Sequence, residues 1–346
     1  MAEHRGAHMV CDNDLNELTA WLGEQRISYL QNFEIARYSQ IKAGGVFRLL
    51  VKPETEPQLL MLLWQLGRRS LPYKVIGNLS NVLFRDGEIR TIGITTREMR
   101  NLTFDDEGFV SAESGVLLPT MAKRLTRSGY AGFAGLVGVP ASIGGAVYMN
   151  ASCYGDAVSD HLVDVRCVSR NGDSRVFDAA SLRFSWRHSA FHDAMSDWVI
   201  VSARFKPQTQ GRAEEEGRER QIKQHRREYQ ENKLPNLGST FATTDIYSAI
   251  AKRFLFYGVL LRMVRVVVRL CGAKGHHYYA KVARGLTKIY FGLKGREDVD
   301  FSEFTFNCVV NRGDAKANEL IDFVLTAQKA IDGCVPLEIE LHKDIE

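Results

Sequence analysis

Hydrophobic positions change period several times along this chain, and each change predicts an element. Leu15, Leu18, Leu22 and Ile27 recur at helical spacing, which predicts an amphipathic helix over residues 13 to 30. An apolar run at 46 to 51, closed by Lys52-Pro53, predicts a strand. Residues 54 to 68, with acids first and periodic leucines after, predict a helix. Short apolar runs at 73 to 76 and 82 to 84 predict two strands around the polar turn Gly77-Asn78-Leu79-Ser80-Asn81, where a phosphate could be held. A second α+β unit opens near residue 96, with a strand at 110 to 113, a turn at Ser114-Gly115 and a helix at 117 to 128 closed by Gly129. The runs 162 to 169 and 174 to 177 flank Asn171-Gly172 and predict a hairpin, and 199 to 205 supplies one more strand.

Beyond residue 207 the pattern turns polar and then strongly apolar. Residues 208 to 232 are densely charged and read as a solvated helix that links domains. Residues 252 to 270 are nearly all apolar, except that Gly258, Arg262, Arg265 and Arg269 fall on one narrow helical stripe. Such a basic-edged apolar helix suits packing inside a domain, an oligomer contact or an anionic membrane surface.

At 346 residues the chain exceeds the usual size of one core, so two or three domains are expected. A net charge of +4, from 45 basic and 41 acidic residues, is too balanced to point to nucleic acid. Six cysteines without a C-x-x-C pair favour reduced thiols over a disulfide framework or zinc site. The histidines show no metal-ligand spacing, and the adjacent His276 and His277 read as polar loop residues. No secretory-type apolar core opens the chain and no run of about eighteen apolar residues occurs, so a cytoplasmic protein is expected.

The chemistry concentrates in GLVGVPASIGGAVYMNASCYG, residues 135 to 155, with five glycines in twenty-one positions. Gly138, Gly144, Gly145 and Gly155 allow sharp turns and can present bare N–H groups to a phosphate-bearing cofactor, although the same composition also suits a packing turn. The order of residues, Gly-Val-Pro-Ala-Ser-Ile-Gly-Gly-Ala and then Met-Asn-Ala and Tyr-Gly, resembles the flavin-binding signature of UDP-N-acetylenolpyruvoylglucosamine reductases. That family sits in the fold group related to vanillyl-alcohol oxidase.

Further segments extend the resemblance. YSQIKAGG at 38 to 45 resembles the family's first strand and Gly-Gly turn, and IGNLSNVLFRD at 76 to 86 resembles its Gly-x-Gly-Ser-Asn turn, with Asn78 and Leu79 where glycine is usual. LRFSWRHSAFH at 182 to 192 resembles Phe-x-Tyr-Arg-x-Ser-x-Phe, with Trp186 for tyrosine. LPNLGSTF at 234 to 241 resembles Pro-x-x-Gly-Ser-x-Phe, and Leu337-Glu338-Ile339-Glu340 resembles Leu-Glu-x-Glu. An extended segment would put Glu338 and Glu340 on one face, and the motif selects Glu340.

The resemblance implies an α+β protein: a two-subdomain FAD-binding module of the vanillyl-alcohol oxidase type followed by an α+β substrate domain. It implies an N-terminal helical extension at 1–31, flavin subdomains at 32–97 and 98–207, the charged linker at 208–232, and a substrate domain at 233–346 whose 245–300 segment is atypical. The implied FAD contacts are Gly77, Asn78, Leu79, Ser80, Asn81, Gly115, Gly138, Pro140, Ser142, Ile143, Gly144, Gly145, Asn150, Ala151 and Gly155. Arg187, Ser239 and Glu340 are the implied catalytic residues, Lys233 and Trp186 the implied substrate contacts, and no metal is implied. The implied reaction uses NADPH and FAD to reduce the enolpyruvyl ether of UDP-N-acetylglucosamine in peptidoglycan precursor synthesis. Hydride goes to the vinyl carbon, Arg187 and Glu340 stabilise the enolate, and Ser239 protonates the adjacent carbon. Over residues 245 to 300 the family's Gly-Gly-Ala and Lys-His-Ala-Asn runs are absent. That departure keeps two alternatives open: a paralogue reducing another unsaturated nucleotide sugar in surface polysaccharide synthesis, and a non-catalytic flavin or nucleotide-sugar binding protein.

Overall fold

Leucines at helical spacing bury one face of the first helix, and its end is set by the backbone. The computed structural model describes residues 10–270 and 275–342, the side chains at 275–277 apart; Cys271 and the first nine residues lie outside the described residues. Helix α1 (Asp12–Glu24) buries Leu15, Leu18 and Leu22. The helix expected to reach residue 30 stops earlier, because Arg26 takes a left-handed φ of 55° and the Ile27 N–H returns to the Leu22 carbonyl at 2.9 Å. Ile27 therefore enters the core from a turn, and strand β1 (Ser28–Glu34) follows. It pairs antiparallel with β2 (Val46–Lys52).

Helix α2 (Glu56–Arg68) starts with Pro57 in its first turn and Thr55 as its cap, the hydroxyl accepting the Gln58 N–H. Then come β3 (Tyr73–Ile76), β4 (Val82–Phe84), β5 (Glu88–Ile89) and β6 (Ile92–Thr95). The sheet order is β1-β2-β6-β3, with β5 beside β2; β2, β6 and β3 run parallel. Leucines of α1 and α2 share one core with Leu49, Val51, Ile92 and Ile94. The first helix is thus built into this sheet's core.

A second sheet is formed by β7 (Leu102–Phe104), β8 (Val110–Glu113), β11 (Leu162–Ser169), β12 (Ser174–Asp178) and β13 (Trp198–Phe205), antiparallel in the order β12-β11-β13-β8-β7. Helices α3 (Leu118–Arg127) and α4 (Ile143–Tyr148) and the short pair β9 (Ser152–Cys153) and β10 (Asp156–Ala157) lie between β8 and β11. The predicted hairpin turns at Gly172, φ 87°.

Helix α5 (Arg212–Tyr229) corrects the reading of residues 208 to 232 as merely solvated. Arg218 forks Asp156 at 2.8 and 2.7 Å and donates to the Tyr154 carbonyl at 2.9 Å. Arg226 donates to the Gly135 carbonyl at 2.7 Å and to Cys153 Sγ at 3.1 Å. Charge density alone cannot separate a solvated helix from one whose cations find buried partners. Here α5 clamps the glycine-rich run.

The last unit holds α6 (Ile246–Arg253), α7 (Leu255–Leu270), α8 (Gly275–Tyr290), β14 (Val299–Phe301), β15 (Val309–Asn311), α9 (Ala317–Ala330) and β16 (Glu340–His342). The segment 252 to 270 is two helices, broken at Phe254, where φ −114° and ψ 91° leave the helical region. His276 and His277, expected in a loop, lie on the backbone of α8. Asp86 caps α9 by accepting the N–H groups of Ala317 and Asn318 at 3.0 and 2.8 Å. Strand β16 pairs parallel with β4, so β4 serves the C-terminus rather than the first sheet. Among the described residues, no helix is long and apolar enough to cross a membrane, and no cluster of metal-ligating side chains occurs.

The Arg218–Asp156 pair yields a stability prediction, since the carboxylate is 6% exposed and the guanidinium 34%. Arg218→Ala leaves a buried charge without its main partner, with an expected loss of about 2–3 kcal/mol by urea unfolding, less than for a wholly buried pair.

Candidate active site

Two glycine-bearing turns meet at one wall. Strand β3 ends at Ile76, and Gly77 follows so close to α4 that a Cβ there would lie 2.8 Å from Ser142 Oγ. Asn78 Nδ2 donates to the Pro140 carbonyl at 2.7 Å, tying the 77–81 turn to the glycine-rich run. Leu79, where the family usually has glycine, holds φ 51°. Its side chain is buried with Phe33, Ile35, Phe47 and Phe84, so packing sustains a backbone conformation that glycine reaches without strain.

On the other side of the wall, the N–H groups of Ile143 and Gly144 donate to the carbonyls of Val116 and Ser114 at 2.8 and 2.9 Å, and Gly145 N–H donates to Ser142 Oγ at 3.4 Å. The expectation of bare donors at Gly144 and Gly145 is corrected: those glycines permit close approach. A Cβ at Gly144 would meet Ser114 at 3.0 Å, one at Gly115 would meet the Thr96 carbonyl at 2.2 Å, and one at Gly138 would strike the Arg226 guanidinium. Asn150, with φ 43°, donates to the Ser185 carbonyl at 3.0 Å and accepts the Ser159 N–H at 3.3 Å. Ala151 N–H bonds the Ala146 carbonyl, and Gly155 turns at φ 87°. Ser114 Oγ is buried without a partner among the described residues. A cradle with no room for a Cβ at Gly77 and an unanswered hydroxyl at Ser114 fits a phosphate-bearing group.

The C-terminal strand brings the acids to the same wall. Asn81 accepts the Glu340 N–H at 2.9 Å through its carbonyl and donates to the Glu338 carbonyl at 2.9 Å through Nδ2. Glu338 N–H in turn donates to the Thr240 carbonyl at 2.9 Å, which sets Ser239 beside this strand, half-buried, after Gly238 with φ 78°. Ser80 is half-buried in the turn between.

Arg187 adopts φ 55°, and its Nε lies 2.8 Å from Glu338 Oε1. Strain of this kind often marks a functional position. The guanidinium also lies 5.7 Å from the ring of Trp186, itself 53% exposed. Glu340 faces different partners: His192 Nε2 at 3.8 Å and His342 Nε2 at 3.6 Å. His192 stacks on Tyr148 at 4.0 Å and on His188 at 4.7 Å. Arg187 is thus held by the first glutamate and the histidines by the second. Lys233 stands exposed, apart from this cluster's recorded contacts.

Burial and charge divide the two acids. Burial raises the Glu338 carboxyl above its ordinary value against the pull of Arg187. Burial also opposes ionisation of Glu340, yet His342, Lys74 and His192 outweigh it and hold that carboxyl low. Burial lowers the Lys74 ammonium and the His192 imidazole. Burial and then Glu340 push the Tyr148 phenol up to about 12. At neutral pH the site therefore offers an ionised Glu340, a neutral His192 and a protonated Tyr148.

Sequence reasoning missed Lys74, Tyr148, His192, His342 and Ser114. Tyr148 and His192 stood inside the quoted motifs, and only the fold shows that their rings stack. His342 lies two residues beyond Glu340 on the same strand, so strand alternation was its one available signal, whereas Lys74 on β3 reaches Glu340 only through the tertiary fold.

A family defined as FAD binding domain matches residues 47–178. UDP-N-acetylenolpyruvoylglucosamine reductase from Paracoccus denitrificans is 35% identical over 235 residues, 68% of this chain and 75% of that protein. The protein of the same name from Moorella thermoacetica is 27% identical over 333 residues, 95% of this chain and 98% of its own. The fold is that of the crystal structure of UDP-N-acetylenolpyruvylglucosamine reductase from Thermus caldophilus, with TM-score 0.66 and 24% identity over 92% of this chain and 99% of that one. An α+β fold with a flavin domain of this kind defines an FAD-dependent oxidoreductase. The chain belongs to the UDP-N-acetylenolpyruvoylglucosamine reductase family.

The cradle predicts that Gly77→Val, by forcing Ser142 away, weakens FAD affinity about tenfold or more, read as the flavin-to-protein ratio after purification. The histidine predicts a pH dependence. Because the folded His192 value is depressed, the unfolded chain takes up the proton first as pH falls below 6.5, and stability is lost there; His161, also lowered by burial, acts in the same sense. The urea midpoint should fall through this window, and His192→Gln should flatten part of the slope.

Proposed function

We propose that this protein reduces the enolpyruvyl ether of UDP-N-acetylglucosamine to the lactyl ether with NADPH as electron donor, in peptidoglycan precursor synthesis. The observation that carries the reading is the convergence of Arg187, Ser239 and the 338–340 glutamates on the wall made by the 77–81 turn. FAD, when bound, supplies two-electron reduction; the protein supplies position and charge. The 77–81 turn, Ser114 and the run from Gly138 through Pro140, Ser142, Ile143, Gly144 and Gly145 to Asn150, Ala151 and Gly155 are the residues to hold it. With the N–H groups of 143 to 145 taken up inside the protein, the turn's backbone is the anion-binding wall.

Arg187, oriented by Glu338, binds the substrate carboxylate and stabilises the enolate charge, a task suited to a fixed guanidinium. Ser239 delivers the proton to the carbon next to the carboxylate. A serine hydroxyl is a weak acid, so the transfer relies on a strongly basic enolate and on a hydroxyl polarised by the charged groups around it. Ionised Glu340, beside His192, His342 and the Lys74 ammonium, fixes the electrostatics around that step. Trp186, exposed beside Arg187, and the exposed Lys233 are the side chains this reading assigns to the nucleotide sugar. The division that fits these roles joins α1 and all of β1 to the first flavin subdomain through residue 97, because β1 runs across position 31. The second subdomain is then 98–207, α5 the clamp, and 233–346 the substrate domain.

A second reading, a paralogue with another unsaturated nucleotide sugar, draws on one observation: α7 and α8 occupy the stretch where the family's Gly-Gly-Ala and Lys-His-Ala-Asn runs are missing. Anaerobic spectroscopy separates the readings. NADPH should bleach the flavin band, and UDP-N-acetylglucosamine enolpyruvate should restore it with lactyl ether formed. Flavin that NADPH reduces and this substrate leaves reduced points to the paralogue; failure of the protein to take up FAD refutes both. Ser239→Ala should slow reoxidation by about 10²- to 10⁴-fold while leaving reduction by NADPH intact.

A further inference from the structure

The helical hairpin of α7 and α8 carries an apolar surface that the domain core does not cover. In α7 only Tyr257 and Leu261 are buried. At 3.6 residues per turn, Leu255, Phe256, Val259, Met263, Val266, Val267 and Leu270 fall together within about a third of the helix circumference. Every one of them is exposed, from 43% at Val259 to 81% at Leu270. Exposed Arg262 and Arg269 border this arc, with Arg265 beyond them, packed 5.1 Å from the Tyr279 ring of α8. Tyr278, Val282 and Ile289 extend the exposed apolar surface onto α8. Buried helices hide such an arc, and ordinary surface helices do not have one.

Charge selects what covers it. Of the chain's 45 lysines and arginines, eleven fall in residues 246 to 296 with no acidic residue among them, leaving 34 against 41 acids elsewhere. Some are spent inside the fold: Lys288 pairs with Asp300 at 2.6 Å and Arg253 with Asp332 at 2.9 Å. No carboxylate is recorded against Arg262, Arg265 or Arg269 among the described residues. An isologous contact of this hairpin with its copy would bring the arginines no carboxylate, since residues 246 to 296 carry none. A nucleic acid would meet the arginines and leave seven apolar side chains in water. An anionic bilayer surface satisfies both parts, with the apolar arc in the acyl boundary and the arginine heads at the phosphates.

We infer that α7 and α8 dock this protein in the plane of an anionic membrane surface, with α7 lying on the bilayer rather than crossing it. At about 24 Å, α7 has the length of an interfacial helix and its charged edge excludes a span. The hairpin lies within the 245–300 stretch where the family's runs are missing, so, resting on the function proposed above, the flavin and catalytic elements stay in place while the hairpin brings the nucleotide-sugar reaction to the lipid surface.

Co-sedimentation of the full flavin-loaded chain with vesicles tests the inference. Vesicles of equimolar phosphatidylglycerol and phosphatidylcholine should bind about a hundredfold more tightly than phosphatidylcholine alone, the partition expected of three arginines at an anionic surface. Raising salt should weaken this binding without abolishing it. Arg262→Glu with Arg269→Glu should reduce it to the phosphatidylcholine level, and Phe256→Ser with Leu270→Ser should abolish it; both pairs are exposed, so flavin content and thermal unfolding should match the parent. Equal binding to both vesicles, a protein left in the supernatant, or indifference to both double variants would overturn the inference. So would an oligomer dispersed by the Phe256 and Leu270 changes without vesicle binding, or retention by RNA in place of vesicles.

Discussion

A few backbone contacts at Asn81 hold the site together. This residue exchanges hydrogen bonds with the backbone at Glu338 and Glu340, positions about two hundred and fifty-seven residues further along the chain, and β4 continues the pairing through β16. The same turn reaches Pro140 through Asn78 and packs Gly77 against Ser142. The 77–81 turn, the glycine-rich run and the C-terminal strand are therefore fixed to one another by hydrogen bonds to the backbone, which tolerate little displacement. Loop closure over such a separation is costly in entropy, and it is offset by the buried contacts of the last unit: Asn311 donating to the Ile41 carbonyl, Asp86 capping α9, and Asn307 bracketing Phe241.

Within that frame, charges are used in pairs with distinct tasks. Arg187 and Glu338 form one pair, partly dehydrated, in which the raised carboxyl shows how much burial the guanidinium has to overcome. Glu340 sits among His192, His342 and Lys74, where the surrounding cations and imidazoles keep it ionised. Two glutamates separated by one residue thus reach opposite electrostatic conditions. The cause is which loops pack on each, since their chemistry is identical.

Helix α5 adds a second constraint. Its arginines reach the Gly135 carbonyl, Cys153 and Asp156, so the glycine-rich run is gripped from outside while Ser142 and Ser114 hold it from inside. Glycine at 138 is required by the Arg226 guanidinium lying over it. The charged helix and the glycine-rich wall are in this way one structure.

By itself the sequence determined the strands at 73–76, 82–84 and 110–113, the hairpin around Gly172 and the helices α2 and α3, because each rests on local periodicity and turn chemistry. Its motifs also located the turn at 77–81, the glycine-rich run, Arg187, Ser239 and the two glutamates. Tertiary structure decided what local signals cannot carry. The α1 helix ends at a left-handed Arg26, the 252–270 segment breaks at Phe254, and β4 leaves the first sheet for β16. Partner choice was likewise decided in three dimensions: Arg187 pairs with Glu338, His192 and Lys74 gather at Glu340, and Arg218 and Arg226 of the charged helix α5 reach inward to Asp156 and the Gly135 carbonyl. Periodicity reports which face of an element is apolar, whereas the identity of the opposing group depends on contacts between residues far apart in the chain.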